Sequence, residues 1–227
     1  MRIYFASDLH GSQKCWLKFL ATPTFYQADV IIVGGDILGK FIVPLIQHDD
    51  GTRSANFLGV EHRIKKQEEV DRLKTHIATT GQYAFETTPD EYARYKDNPE
   101  RVDALFRQLA LERLEQWVRL ADERLSGRPI RCLVSCGNDD FFEADAILAR
   151  SRVIEVPDGR IVDLGAGFEL CGVGCANLTP WDCPRDVPEE VLTEKIDVLA
   201  RGITDMDRAI FAIHVPPYGS GLDEAPK

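Results

Sequence analysis

The sequence predicts an α/β protein, and three observations carry that expectation. Short apolar runs of strand length alternate with amphipathic stretches of helical period. Four of the apolar runs end in polar residues that can hold a metal ion, at Asp8, Asp36, Asn138 and His214. The composition, 44% hydrophobic and 28% charged over 227 residues, suits one large globular domain.

Some classes are disfavoured at once. No run approaches the roughly 18 apolar residues that cross a bilayer. The N-terminus passes straight into strand-like residues, without the basic and apolar regions of an export signal. The expectation is a cytoplasmic protein. With 37 acidic against 27 basic side chains the formal charge is −10, which argues against nucleic acid and anionic membrane as partners.

Residues 3–6 read as a short buried strand that runs into the polar loop Ser7-Asp8-Leu9-His10-Gly11. Residues 12–20 read as a helix capped by Ser12, with Cys15, Trp16, Phe19 and Leu20 on its apolar face. The continuous run Val30-Ile31-Ile32-Val33 marks residues 28–33 as a strand buried on both faces, ending in Gly34-Gly35-Asp36. Strand, loop, helix and strand make a βαβ unit. Asp49-Asp50-Gly51 predicts a hairpin between residues 41–48 and 52–58.

Residues 60–126 carry 14 acidic and 12 basic side chains and read as a helical layer. Helices are expected over 61–79 and 99–125, with a shorter one over 89–96. In the long one apolar residues recur at 102, 105, 106, 109, 110, 114, 117, 118, 121 and 125. Pro99 opens it and Ser126-Gly127 closes it. Tyr83, Phe85, Tyr92 and Tyr95 read as packing rather than as the lining of a pocket mouth.

Residues 130–135 form a third core strand that leads into Cys136-Gly137-Asn138-Asp139-Asp140 and a helix over 141–150. Pro157-Asp158-Gly159 predicts a hairpin between 153–156 and 160–164. A strand over 168–173, a helix over 189–201 and a strand over 209–213 ending at His214 complete the pattern. Residues 219–227 show no periodicity.

In α/β sheets ligands gather at the carboxyl ends of the strands, where these polar residues stand. On an extended backbone Asp8 and His10 point the same way and grip one ion. Gly34, Gly35 and Gly137 let the chain turn tightly beside the ligands. Carboxylate, amide and imidazole together suit manganese, iron or zinc. Two ions about 3.5–4 Å apart need a bridging carboxylate, for which Asp36 is the natural candidate. Each piece alone is also an ordinary turn; four in order, each after an apolar strand, carry the reading. The six cysteines read as reduced core residues, with metal or redox roles as the alternative.

The runs Asp8-Leu9-His10, Gly35-Asp36, Gly137-Asn138-Asp139-Asp140 and His214 resemble the signature of the calcineurin-like metallophosphoesterases. The longer runs Ser7-Asp8-Leu9-His10-Gly11, Gly34-Gly35-Asp36-Ile37-Leu38-Gly39-Lys40 and Asn177-Leu178-Thr179-Pro180-Trp181 are similar to a prokaryotic branch of uncharacterised phosphoesterases. The resemblance implies a four-layer αββα sandwich of two mixed sheets, filling residues 1–227 as one domain with a helical insertion at about 50–125. It implies two divalent metal ions: Asp8 and His10 on the first, Asn138 and His214 on the second, Asp36 bridging. It also implies hydrolysis of phosphate mono- or diesters through a metal-bridging hydroxide, on a small phosphorylated molecule or a phosphoprotein. Two departures stand out. Asp139 occupies the position where the family usually has a histidine beside the leaving group, so a carboxylate is the candidate general acid. The family's final Gly-His-x-His is missing, and His48, His62 and His76 lie in the hairpin or the insertion. A shortened form of a longer protein is the expectation. The alternative function is a weakly active or non-catalytic binding protein on the same scaffold.

Overall fold

The computed structural model describes residues 1–224, and residues 225–227 of the aperiodic tail lie outside them. In chain order the elements begin with β1 (Ile3–Ala6), α1 (Gln13–Tyr26), β2 (Val30–Gly34), β3 (Ile42–Gln47), β4 (Arg53–Phe57) and β5 (Val60–Ile64). Then come α2 (Gln67–Thr79), β6 (Tyr83–Thr87), α3 (Pro89–Lys96), α4 (Pro99–Leu125), β7 (Arg131–Ser135) and α5 (Glu143–Leu148). The chain continues with β8 (Ile154–Glu155), β9 (Ile161–Gly165), β10 (Phe168–Val173), β11 (Ala176–Asn177), β12 (Asp186–Val187), α6 (Glu189–Gly202) and β13 (Ala209–Ile213). The architecture is mixed α/β, with six helices and several sheets among the described residues. No helix there is long and apolar enough to cross a membrane.

The chain divides into two units. The first takes Met1–Asp8, Phe19–Ile37 and the chain from Trp117 onward; the second takes Leu9–Lys18 and Leu38–Gln116.

In the first unit one sheet has the order β1-β2-β7-β8, all pairs parallel. A second has the order β13-β10-β9, with β13 parallel and β9 antiparallel to β10. The two share a core: Val30, Ile32 and Leu133 of the first sheet meet Leu164, Leu170 and Ala212 of the second. Burying each of these Val, Ile and Leu side chains contributes about 1.5–3 kcal/mol. Leu192 and Leu199 of α6 pack with Cys171 and Val173 of β10 in another cluster. Every residue of β2 is buried, as its unbroken apolar run requires. β1 is not the buried strand expected. It sits at the sheet edge, only partly covered, and Phe5 is exposed.

The turn at Pro157-Asp158-Gly159 does not make a hairpin. β8 joins β7 in one sheet and β9 joins β10 in the other. The turn is held by β10 and the residue beyond it: Gly159 N donates to Gly172 O at 2.9 Å, and Gly174 N to Asp158 Oδ1 at 2.7 Å. Those bonds carry the chain across to the second sheet.

The second unit corrects the helical insertion expected over residues 50–125. It holds a four-stranded sheet of order β5-β4-β3-β6, and Val70, Leu73 and Ile77 of α2 pack on Val43, Leu45 and Phe57. The hairpin of β3 and β4 forms as read, and Asp50 Oδ1 accepts from Thr52 N and Oγ1 at 2.9 and 2.6 Å. These bonds pull the Asp50 carboxyl down to about 2. Helix was expected from residue 61, but Val60–Ile64 pairs with β4 and α2 starts at Gln67. β6 was not read at all; it runs parallel to β3. α3 and α4 occupy 89–96 and 99–125, with Thr88 and Asn98 accepting from Glu91 N and Arg101 N at their starts. Tyr83 is buried with its hydroxyl accepting from Gly39 N at 2.6 Å, and Phe85 meets Tyr95 edge-on at 5.2 Å. Both pack, as expected, while Tyr92 is exposed.

Candidate metal centre

β1, β2 and β7 are parallel neighbours, so their carboxyl ends open on one edge and deliver Asp8, Asp36 and Asn138 side by side. The register aligns Ala6 with Val33 and Gly34 with Ser135, two or three residues before each candidate ligand. β13 brings His214 from the other sheet, with His214 N donating to Val173 O at 2.8 Å.

The loops approach very closely. A Cβ at Gly137 would overlap the Asp36 carboxylate and amide and stand 2.9 Å from His214 Cε1. One at Gly35 would run into the His214 ring and stand 2.8 Å from the Gly137 Cα. Glycine is required at both positions by this contact. Asp140, fully buried, braces the same loops: its Oδ2 accepts from Ile37 N at 3.0 Å and Gly137 N at 2.7 Å.

The extended backbone expected for Asp8-x-His10 is not observed. Asp8, His10 and Asp36 have φ of 58°, 42° and 51°, in the left-handed region that non-glycine residues avoid. Among the described residues seven non-glycine residues adopt positive φ, and three of them are these candidate ligands. Such strain gathers where function demands it. Left-handed turns, rather than strand alternation, aim the side chains. Asp8 N donates to Gly35 O at 3.0 Å, which ties the first loop to the second. A carboxylate oxygen of Asp8 lies within 4.8 Å of one of Asp36.

His214 completes the donor set. Its Nδ1 lies 3.0 Å from Gly34 O, an acceptor only, so Nδ1 carries a proton. Its Nε2 faces two oxygens, Asn138 Oδ1 at 3.1 Å and Asp36 Oδ1 at 3.3 Å. Burial alone would lower the pKa of this ring, but the Asp36 carboxylate beside it and the Gly34 carbonyl outweigh burial and raise it. A second proton or a divalent cation satisfies a nitrogen and two oxygens that converge in this way. The donor chemistry therefore fits a metal ion.

Asp139 is partly buried; its amide donates to Asp36 Oδ1 at 3.3 Å and its carboxylate lies 3.9 Å from Cys183 Sγ. All six cysteines are free; Cys132, Cys136 and Cys171 are buried, and burial raises their thiol pKa values.

The sequence reading missed two residues. Arg185, only 6% exposed, donates to Asp140 O at 2.8 Å and Phe141 O at 2.9 Å and pairs with Asp145 at 3.0 Å. Asp186 accepts from Asn138 Nδ2 at 2.8 Å. Burial opposes the Asp186 charge, but hydrogen bonds from Thr179 and Asn138 outweigh it and hold its carboxyl below the usual range. Both lie in an aperiodic stretch, and no spacing in the sequence points to either.

No family model matches the chain, and no curated protein matches it. A solved crystal structure shares its fold, at 14% sequence identity and a TM-score of 0.53, over 96% of this chain and 70% of that chain. At that identity the likeness speaks for the mixed α/β fold alone.

Proposed function

We propose that the chain is a metal-dependent phosphoesterase on a four-layer αββα sandwich, hydrolysing phosphate mono- or diesters. The observation that carries this reading is the convergence of His214 Nε2, Asn138 Oδ1 and Asp36 Oδ1 within 3.3 Å of the imidazole nitrogen, with the opposite ring nitrogen tied to a carbonyl. In this reading Asp8, His10 and Asp36 hold one divalent ion, and Asp36, Asn138 and His214 hold a second, of manganese, iron or zinc. Bound ions of this kind supply Lewis-acid neutralisation of phosphoryl oxygens and ready ionisation of water. The chain's own part is to fix the donors: Gly35 and Gly137 let the loops close, and Asp140 locks two of them together. Asp139 stands one residue beyond Asn138 as the candidate proton donor to the leaving group. The net charge of −10 favours a small phosphorylated molecule or a phosphoprotein over a nucleic acid substrate.

The test is hydrolysis of p-nitrophenyl phosphate and its bis ester with manganese. Turnover is expected with at least one of the two, and Asp36→Asn should abolish it by removing the shared negative charge. No turnover with manganese, iron or zinc overturns the reading. Full activity in Asp36→Asn overturns the bridging assignment.

A further inference from the structure

We propose that Asp186 is a positioning residue: its carboxylate dictates that Asn138 turns its amide oxygen, and not its NH2, toward His214. The proposal rests on the metal reading above for its consequence, and on hydrogen-bond chemistry for its geometry.

The two ends of an asparagine amide are nearly the same size, so surroundings decide which way it points. Four donors converge on the Asp186 carboxylate. Asn138 Nδ2 reaches Oδ1 at 2.8 Å; Thr179 N and Cys183 N reach Oδ2 at 3.0 and 3.2 Å, and the Thr179 hydroxyl donates to Oδ2 as well. An ionised carboxylate accepts and cannot donate. Asn138 must therefore offer its NH2 to Asp186, which leaves Oδ1 for His214 at 3.1 Å. Backbone bonds keep the pair aligned. Arg185 N donates to Asn138 O at 3.0 Å, and Asp186 opens β12 opposite Ala176 of β11. The loop from Leu178 to Arg185 is thus closed at its base by β11 and β12 and fastened inside by the same carboxylate.

Replacing Asp186 by asparagine tests this directly. The new amide has one accepting end and one donating end. Three donors from Thr179 and Cys183 claim its oxygen, so its NH2 turns to Asn138. Asn138 then flips and presents NH2 toward His214, which cannot ligate a cation. The reciprocal exchange Asp186→Asn with Asn138→Asp restores an oxygen on the ligand side, because a carboxylate at 138 accepts from the new amide. Asn138→Asp alone sets two carboxylates against each other.

The experiment uses the full chain and manganese alone, followed by calorimetry. Asp186→Asn is expected to weaken one manganese site about 10–100-fold, the usual cost of losing the partner that orients a ligand. The double exchange is expected to recover most of that loss. A second readout needs no metal. In the metal-free protein a nuclear Overhauser contact between the Asn138 side-chain amide protons and the His214 ring should be weak in the wild type and strong in Asp186→Asn. Wild-type manganese affinity in Asp186→Asn, or an unflipped Asn138, overturns the proposal. If Asp186→Asn unfolds, the double exchange decides: a folded, manganese-binding protein supports the proposal, and failure to recover overturns it. A wild type that binds no manganese defeats the metal reading, while the amide contacts still decide the role of Asp186.

Discussion

The charge on His214 in the metal-free protein is set by Asp36, and its effect is measurable. Asp36 raises its pKa above the ordinary value, so in the metal-free protein the charged ring contributes stability that is complete below about 6.5 and is lost as pH rises through the folded value. The melting temperature of the chelated wild type should therefore fall across that window relative to His214→Gln. Parallel curves for the two proteins would show that the ring carries no such charge. Residues such as this one were legible in the sequence because each follows an apolar strand at a carboxyl end. The bracing contacts of Asp140 and the place of Asp186 were not, because a brace is defined by what it touches. Asp140 reaches Ile37 across 103 positions, and Asp186 reaches Asn138 across 48.

Turns decide how well an element can be read. The β4–β5 hairpin closes through Leu58 and Gly59, at φ of 52° and 77°, the geometry of a tight two-residue turn that favours Asn-Gly. Leucine rarely accepts that conformation, so the sequence showed no turn there, and the charge-rich run beyond it read as helix. Leu58 is 65% exposed and contributes little to the core. Leu58→Asn should thus raise stability by up to about 1 kcal/mol, seen as a higher urea midpoint; a lower midpoint would contradict the turn geometry. α4 shows the opposite case: its apolar residues recur over many turns, and its predicted limits at 99 and 125 are those observed. β6 lay unread because five residues, Tyr83–Thr87, give a short signal between two helices, and only the pairing with β3 makes them a strand.

At the scale of the whole molecule, binding and stability are linked. A ligand held by the folded protein alone stabilises it by about 2.7 kcal/mol at 100 times its dissociation constant. Manganese at that excess should raise the melting temperature of the wild type by several degrees and leave Asp36→Asn unmoved. Amide exchange should slow at the loops after β2, β7 and β13, whereas the sheet of the second unit should keep its rates. Uniform slowing, or none, would place the ion elsewhere. Asn138 follows a strand of one sheet and His214 follows a strand of the other. On the proposed reading, a cation gripped by both would be a rivet through two layers, and stripping it away would unfasten a seam in the scaffold as well as remove a reagent.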